Sequence, residues 1–134
     1  MLADVQFDTR GRAVVAKVTG EVDLSNATQI CDAVGEATPN TALGVVLDLV
    51  AVDYLDSAGI HLIYRLRENL RARGQKLMLA MPADSPVHDS LRLAGVTRAL
   101  PIVVSVEDAL ASFTPAEGPP EGSDRDTPQG EPAV

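Results

Sequence analysis

Hydrophobic residues recur along this chain with two different periods, and the switches between them mark out its elements. Residues 4–8 read as a short edge strand, followed by a turn at Arg10-Gly11-Arg12. Val14, Ala16 and Val18 then alternate with Val15, Lys17 and Thr19, the period of two that a strand requires, and Gly20 is expected to end it. Ala27, Ile30, Val34 and Ala37 recur at three and four, which predicts a helix capped by Asp23 or Ser25 and broken at Pro39-Asn40. Residues 43–49 are almost continuously apolar, as in a strand covered on both faces.

The second half repeats the alternation. A helix is predicted over 57–73, with Ile60, Ile63, Leu66 and Leu70 inward and Gly74 as the residue that closes it. Arg71 and Arg73 suit the negative end of its dipole. Residues 76–81 form a strand, Pro86 starts a helix that runs through Ala94 to Gly95, and 102–104 is a last strand. Ser105-Val106-Glu107-Asp108 resembles a capping box for a final helix over 106–113. Strands alternating with helices imply an α/β layer fold. The unit 43–81 should pair its two strands in parallel through a right-handed crossover. Ser57 then lies beyond the carboxyl end of a parallel strand and at the start of a helix, where open α/β sheets place their sites.

Composition narrows what such a fold does. The 134 residues suit one domain, and a hydrophobic share of 46% is globular. Only Phe7, Tyr54, Tyr64 and Phe113 are aromatic and the net charge is −8, so neither base stacking nor phosphate contact is served and no nucleic-acid partner is expected. Cys31 stands alone, which excludes an intramolecular disulfide and suits a buried apolar role. With His61 and His88 it shows no metal-ligand spacing, so no metal and no other cofactor is expected. The N-terminal residues lack the pattern of a signal peptide, and no apolar run approaches a membrane span. The expectation is a soluble cytoplasmic protein without a membrane partner, a monomer or weak dimer. Composition changes at about Pro115: residues 115–134 hold five prolines and five acidic residues against Arg125. That acidic, Pro/Gly-rich segment is expected to stay disordered and solvated, leaving 1–114 as the folded domain.

The segment Tyr54-Leu55-Asp56-Ser57-Ala58-Gly59-Ile60 concentrates the candidate chemistry. As a nucleophile elbow it lacks the first glycine, and His61, one turn on, has nothing to orient it. As a phosphate cradle it lacks the glycine-rich patterns, and Asp53 and Asp56 would repel a nucleotide. No catalytic residue is therefore assigned. Ser57 or Asp56 would cap the helix; having both leaves a hydroxyl for another use. Val50, Val52, Tyr54 and Leu55 beside Asp53 and Asp56 form an apolar surface around charges, the pattern of a docking patch, although some of these side chains belong to the core.

These residues carry a resemblance. The stretch LDLVAVDYLDSAGI is similar to the strand, "D-L-S-x-V" turn and "D-S-S/A-G-L" helix start of the sulfate-transporter and anti-sigma-factor-antagonist (STAS) domain family. Gly20-Glu21-Val22-Asp23 with Asn26-Ala27 resembles its "G-E-L-D…T-A", Leu91-Ala94-Gly95-Val96 its "L-x-x-x-G-L", and 100–110 its last strand and helix. The resemblance covers nearly all of 1–114 and implies the STAS fold: a mixed four- to five-stranded sheet with helices packed mainly on one face.

It also implies a function. Stand-alone members are anti-sigma factor antagonists: they bind an anti-sigma factor serine kinase and free the sigma factor. The kinase switches them off by phosphorylating the motif serine, and a serine phosphatase reverses this. Carried over, the acceptor is Ser57, and the partner-binding set is Asp23, Ser25, Asn26, Asp53, Tyr54, Asp56, Ser57, Ala58, Gly59 and His61. Two positions depart from the pattern, Val50 where serine is common and His61 where a small residue is common. The competing expectation is a non-switching STAS subunit of a lipid-transport or signalling complex, in which Ser57 is only structural.

Overall fold

The computed structural model describes residues 4–113. The segment expected to be a disordered tail, 115–134, lies outside them. In chain order the elements are β1 (Asp4–Arg10), β2 (Ala13–Val22), α1 (Ala27–Ala37), β3 (Gly44–Leu55), α2 (Ser57–Arg71), β4 (Lys76–Ala80), α3 (Pro86–Leu93), α4 (Val96–Ala99), β5 (Ile102–Val103) and α5 (Val106–Phe113). The strands form one sheet in the order β1-β2-β3-β4-β5, with β1 antiparallel to β2 and all other neighbours parallel. This is the mixed sheet expected.

Alternation along the central strands builds two layers of unequal size. Val14, Ala16 and Val18 of β2, with Leu47 of β3 and Leu79 of β4, face the larger one, where α1 contributes Ile30 and Val34, and α2 Ile63, Leu66 and Leu70. α3 and α4 add Val87, Leu91 and Val96 to the same layer. Val15, Val46 and Met78 point the other way, to a smaller cluster closed by Ala109 of α5. Four helices thus share one face and α5 covers part of the other. A fully buried leucine in the larger layer such as Leu66 is worth ~2–5 kcal/mol against alanine.

The structure corrects five expectations. β2 does not end at Gly20: that residue takes a φ of 92° at a register shift, and the strand continues to Val22. β3 does not end at Leu49 but runs to Leu55, with an irregularity opposite Lys17 and Thr19 where Asp48 accepts a hydrogen bond from the Val50 N–H at 3.1 Å. α2 stops at Arg71, two residues early, and Ala37 is exposed, because Ala27, Ile30, Cys31 and Val34 form the buried stripe of α1. The short α4 is additional; it follows Gly95, whose φ of 82° turns the chain out of α3. No helix among the described residues is long and apolar enough to cross a membrane.

Candidate functional site at the carboxyl ends of β2 and β3

Parallel pairing brings two sequence-distant turns together. Val22 pairs with Leu55, and the Asp56 N–H donates to the Val22 carbonyl at 3.3 Å, so the turn after β2 lies beside the start of α2. Asp56 is the helix cap: its Oδ1 accepts from the Ala58 and Gly59 N–H groups at 2.9 and 3.1 Å. One carboxylate oxygen therefore satisfies two of the free N–H groups at this helix start. Ser57 occupies the first helical position and is exposed, and its hydroxyl has no hydrogen-bond partner among the described residues. Gly59 is buried because α2 settles directly on the strand beneath it. A Cβ there would meet Leu55 Cγ at 2.6 Å and Val22 Cγ1 at 3.3 Å.

The opposing turn is built by Asp23, Ser25 and Asn26. Neither Asp23 nor Ser25 caps α1 with its side chain, as had been expected; Asp23 instead forms a local turn, its Oδ1 accepting from the Ser25 hydroxyl at 2.5 Å and the Ser25 N–H at 2.9 Å. The Ser25 hydroxyl and then its N–H hold the Asp23 carboxyl below the usual carboxylate range. The Asp23 carbonyl accepts from the Asn26 and Ala27 N–H groups. Asn26 is buried and braces the turn, donating to the Glu21 carbonyl and accepting from the Asp23 N–H. This arrangement leaves Leu24, 84% exposed, standing out at the tip.

Between α1 and α2 runs a groove of about 830 Å³. It collects Asp56, Ser57, Ala58 and His61 from the expected set, and adds Leu24, Cys31, Arg65 and Asn69. Asp53 and Tyr54 lie outside it, exposed on the last turns of β3 with Val50. Val52 and Leu55 belong to the core. Cys31 sits under the groove, where Asn69 Nδ2 donates to its sulfur at 3.8 Å; burial pushes its thiol above the ordinary value, so it stays protonated and inert. Leu24 was missed in the sequence. Its signal was an apolar residue inside an otherwise polar turn, Asp23-Leu24-Ser25-Asn26. The groove residues of α2 were readable as one stripe, since 57, 61 and 65 recur at four.

Chemically the site offers an exposed hydroxyl, two carboxylates and an apolar rim. Among the described residues nothing orients His61 toward Ser57 as a triad requires. A hydroxyl at a helix start is well placed to receive a phosphoryl group, because the N-terminal dipole and N–H groups tolerate added negative charge.

The comparisons with known proteins agree with this fold. The model of the STAS domain matches residues 4–109. The anti-sigma-F factor antagonist RsfB of Mycobacterium tuberculosis is 29% identical over 104 residues, covering 77% of this chain and 82% of that protein. An anti-sigma factor antagonist from Mycobacterium paratuberculosis has the same fold, with a TM-score of 0.74, 21% identity, and coverage of 84% of this chain and 94% of the other. The Bacillus cell fate determinant SpoIIAA, solved in its phosphorylated form, superposes with a TM-score of 0.63 at 20% identity, covering 83% of this chain and all of that one.

Proposed function

This chain belongs to the STAS domain family, and on that premise we propose that it is an anti-sigma factor antagonist switched by phosphorylation of Ser57. It binds an anti-sigma factor serine kinase, so releasing the sigma factor, and performs no catalysis of its own. Phosphate on Ser57 breaks the complex and a serine phosphatase restores it. The carrying observation is the division of labour at the α2 start: Asp56 alone caps the helix, so the exposed Ser57 hydroxyl is free to be modified without loss of the cap. Similarity to the antagonist RsfB supports the role, and a shared fold with SpoIIAA, which was solved phosphorylated, supports the modification.

The magnitudes suffice for a switch. A phosphate adds roughly −1.5 to −2 charges, here beside Asp56 and across from the Asp23 turn. A like charge on the partner held ~4 Å from that phosphate is repelled by about 4 kcal/mol at an effective dielectric near 20. A hundredfold loss of affinity needs only about 2.7 kcal/mol. Incubation with the partner kinase and ATP, read by intact mass and phosphosite mapping, tests the reading. A single phosphate on Ser57 is expected; Ser57→Ala binds but is not modified, and Ser57→Asp binds between wild type and phosphoprotein. Phosphate on another residue, or a phosphoprotein that binds as tightly as the unmodified chain, would overturn it.

A further inference from the structure

Five cations follow one another in the sequence from Arg65 to Lys76, and the fold gives them three different tasks. Arg73 turns inward: it donates to Asn40 Oδ1 at 3.1 Å, to the Gly35 carbonyl at 3.3 Å and to the Thr38 carbonyl. Arg65 faces the groove beside α1. Arg67, Arg71 and Lys76 instead line a second groove of about 410 Å³, whose apolar lining includes Leu77, Leu100 and Phe113. Glu68 is shared by the two arginines, at 3.2 and 3.5 Å, and Lys76 has no ion-pair partner among the described residues. The rim therefore keeps an excess of positive charge.

The described part of α5 reaches Phe113, itself part of this groove. The residues that follow in the sequence carry Glu117, Glu121, Asp124, Asp126 and Glu131 against one cation, Arg125. We propose that the groove between α2, β4 and α5 is the docking site of the chain's own acidic segment, 115–134. The argument is charge complementarity together with tethering. Glu131, the last of these acids, follows Phe113 by 18 residues, and at a maximum reach of roughly 3.3 Å per residue every acid is within range of the rim. Linkage through a short segment gives an effective concentration in the mM range, which fills a contact too weak to hold two separate molecules. The acidic segment is then drawn to the end of α2 opposite Ser57, leaving the site beside Asp56 uncovered. This inference does not depend on the phosphorylation reading.

The test uses the full chain with Cys31→Ala and a nitroxide on Ser123→Cys. Amide signals of Leu77, Leu100 and Ser112 are expected to broaden severalfold more than those of Ser57 and His61. The broadening should fade in about 0.5 M salt, where the screening length falls to a few Å, and in Arg71→Glu/Lys76→Glu, a surface pair. Signals away from the groove report whether that pair still folds; the salt arm is independent of it. Broadening confined to the last turn of α5, centred on the Ser57 end, or indifferent to both salt and charge reversal would overturn the proposal. So would equal binding of heparin, a sulfated polyanion, to the wild type and to a chain with the five acids neutralised, since that leaves the groove open to an outside partner.

Discussion

The α2 start and the segment just past its end use similar polar chemistry to different ends. At the start, one carboxylate oxygen of Asp56 accepts from two N–H groups and the neighbouring hydroxyl of Ser57 is left over. Past the end, Arg73 donates to three acceptors in and after the last turn of α1, and Gln75 Nε2 donates to the Pro39 and Ala42 carbonyls at 2.8 and 3.0 Å. These donors are committed to holding the connection from α1 to β3. A polar group whose bonding is spent on backbone can only be lost at a cost in stability. One that is unspent can be modified or covered by a partner, and stability is not the quantity that changes.

The contrast makes predictions of decreasing size. The largest concerns phosphate on Ser57: partner affinity should fall at least hundredfold, about 2.7 kcal/mol, while the urea midpoint of the isolated protein stays nearly in place. A matching drop in unfolding midpoint would mean that the α2 start is scaffold as well. Next is Arg73→Ala, which leaves carbonyls of the α1 end without their donor and should lower stability by ~1–3 kcal/mol with partner affinity preserved. Urea denaturation beside a binding titration separates the two quantities.

Smaller effects sharpen the division at the α2 start itself. Asp56→Ala should destabilise by about 1 kcal/mol through loss of the cap. If Ser57 is spare, adding Ser57→Ala to that variant changes the urea midpoint no further. An additional fall would show that the hydroxyl stands in as a cap. The smallest effect is on titration. Ser25→Ala removes a donor to the Asp23 carboxylate, and the carboxyl should then titrate at a higher pH, followed by side-chain NMR. In sign, a carboxyl depressed in the fold contributes stability that is present above its unfolded pKa and lost as pH falls through the folded value. The variant should therefore lose part of that contribution at neutral pH and nothing in acid below the folded pKa, so its stability falls less steeply as pH drops.

How much of this was legible varies along the chain. The periods of the helices and of 43–49 located all but α4, because a buried stripe on a helix and a doubly covered strand leave strong patterns. The carboxyl half of β3 left none. Val50 and Val52 are the same residue type, yet one is exposed and the other buried. A register irregularity beside Lys17 and Thr19 decides which, and it exists only in the pairing of two strands. The β2 end failed for the same reason: a glycine that reads as a stop can equally hold a bulge when a parallel neighbour continues. In the site, Asp56 and Ser57 were readable as a helix start with one group to spare. Leu24 was not, since an isolated apolar residue in a turn becomes surface only through what its neighbours fold against.

The sequence by itself determined the layer fold, the order of its elements and the serine at the mouth of α2, because each follows from local periodicity, capping and turn chemistry. Only the tertiary structure decided that the Asp23 turn lies beside that serine, that Asp56 rather than Ser57 caps the helix, and that five neighbouring cations are divided between two grooves and an internal brace. Those outcomes depend on which strands pair in parallel and at which register. Pairing is a long-range choice, set by how the whole apolar surface can be buried at once, and no short window of residues contains it.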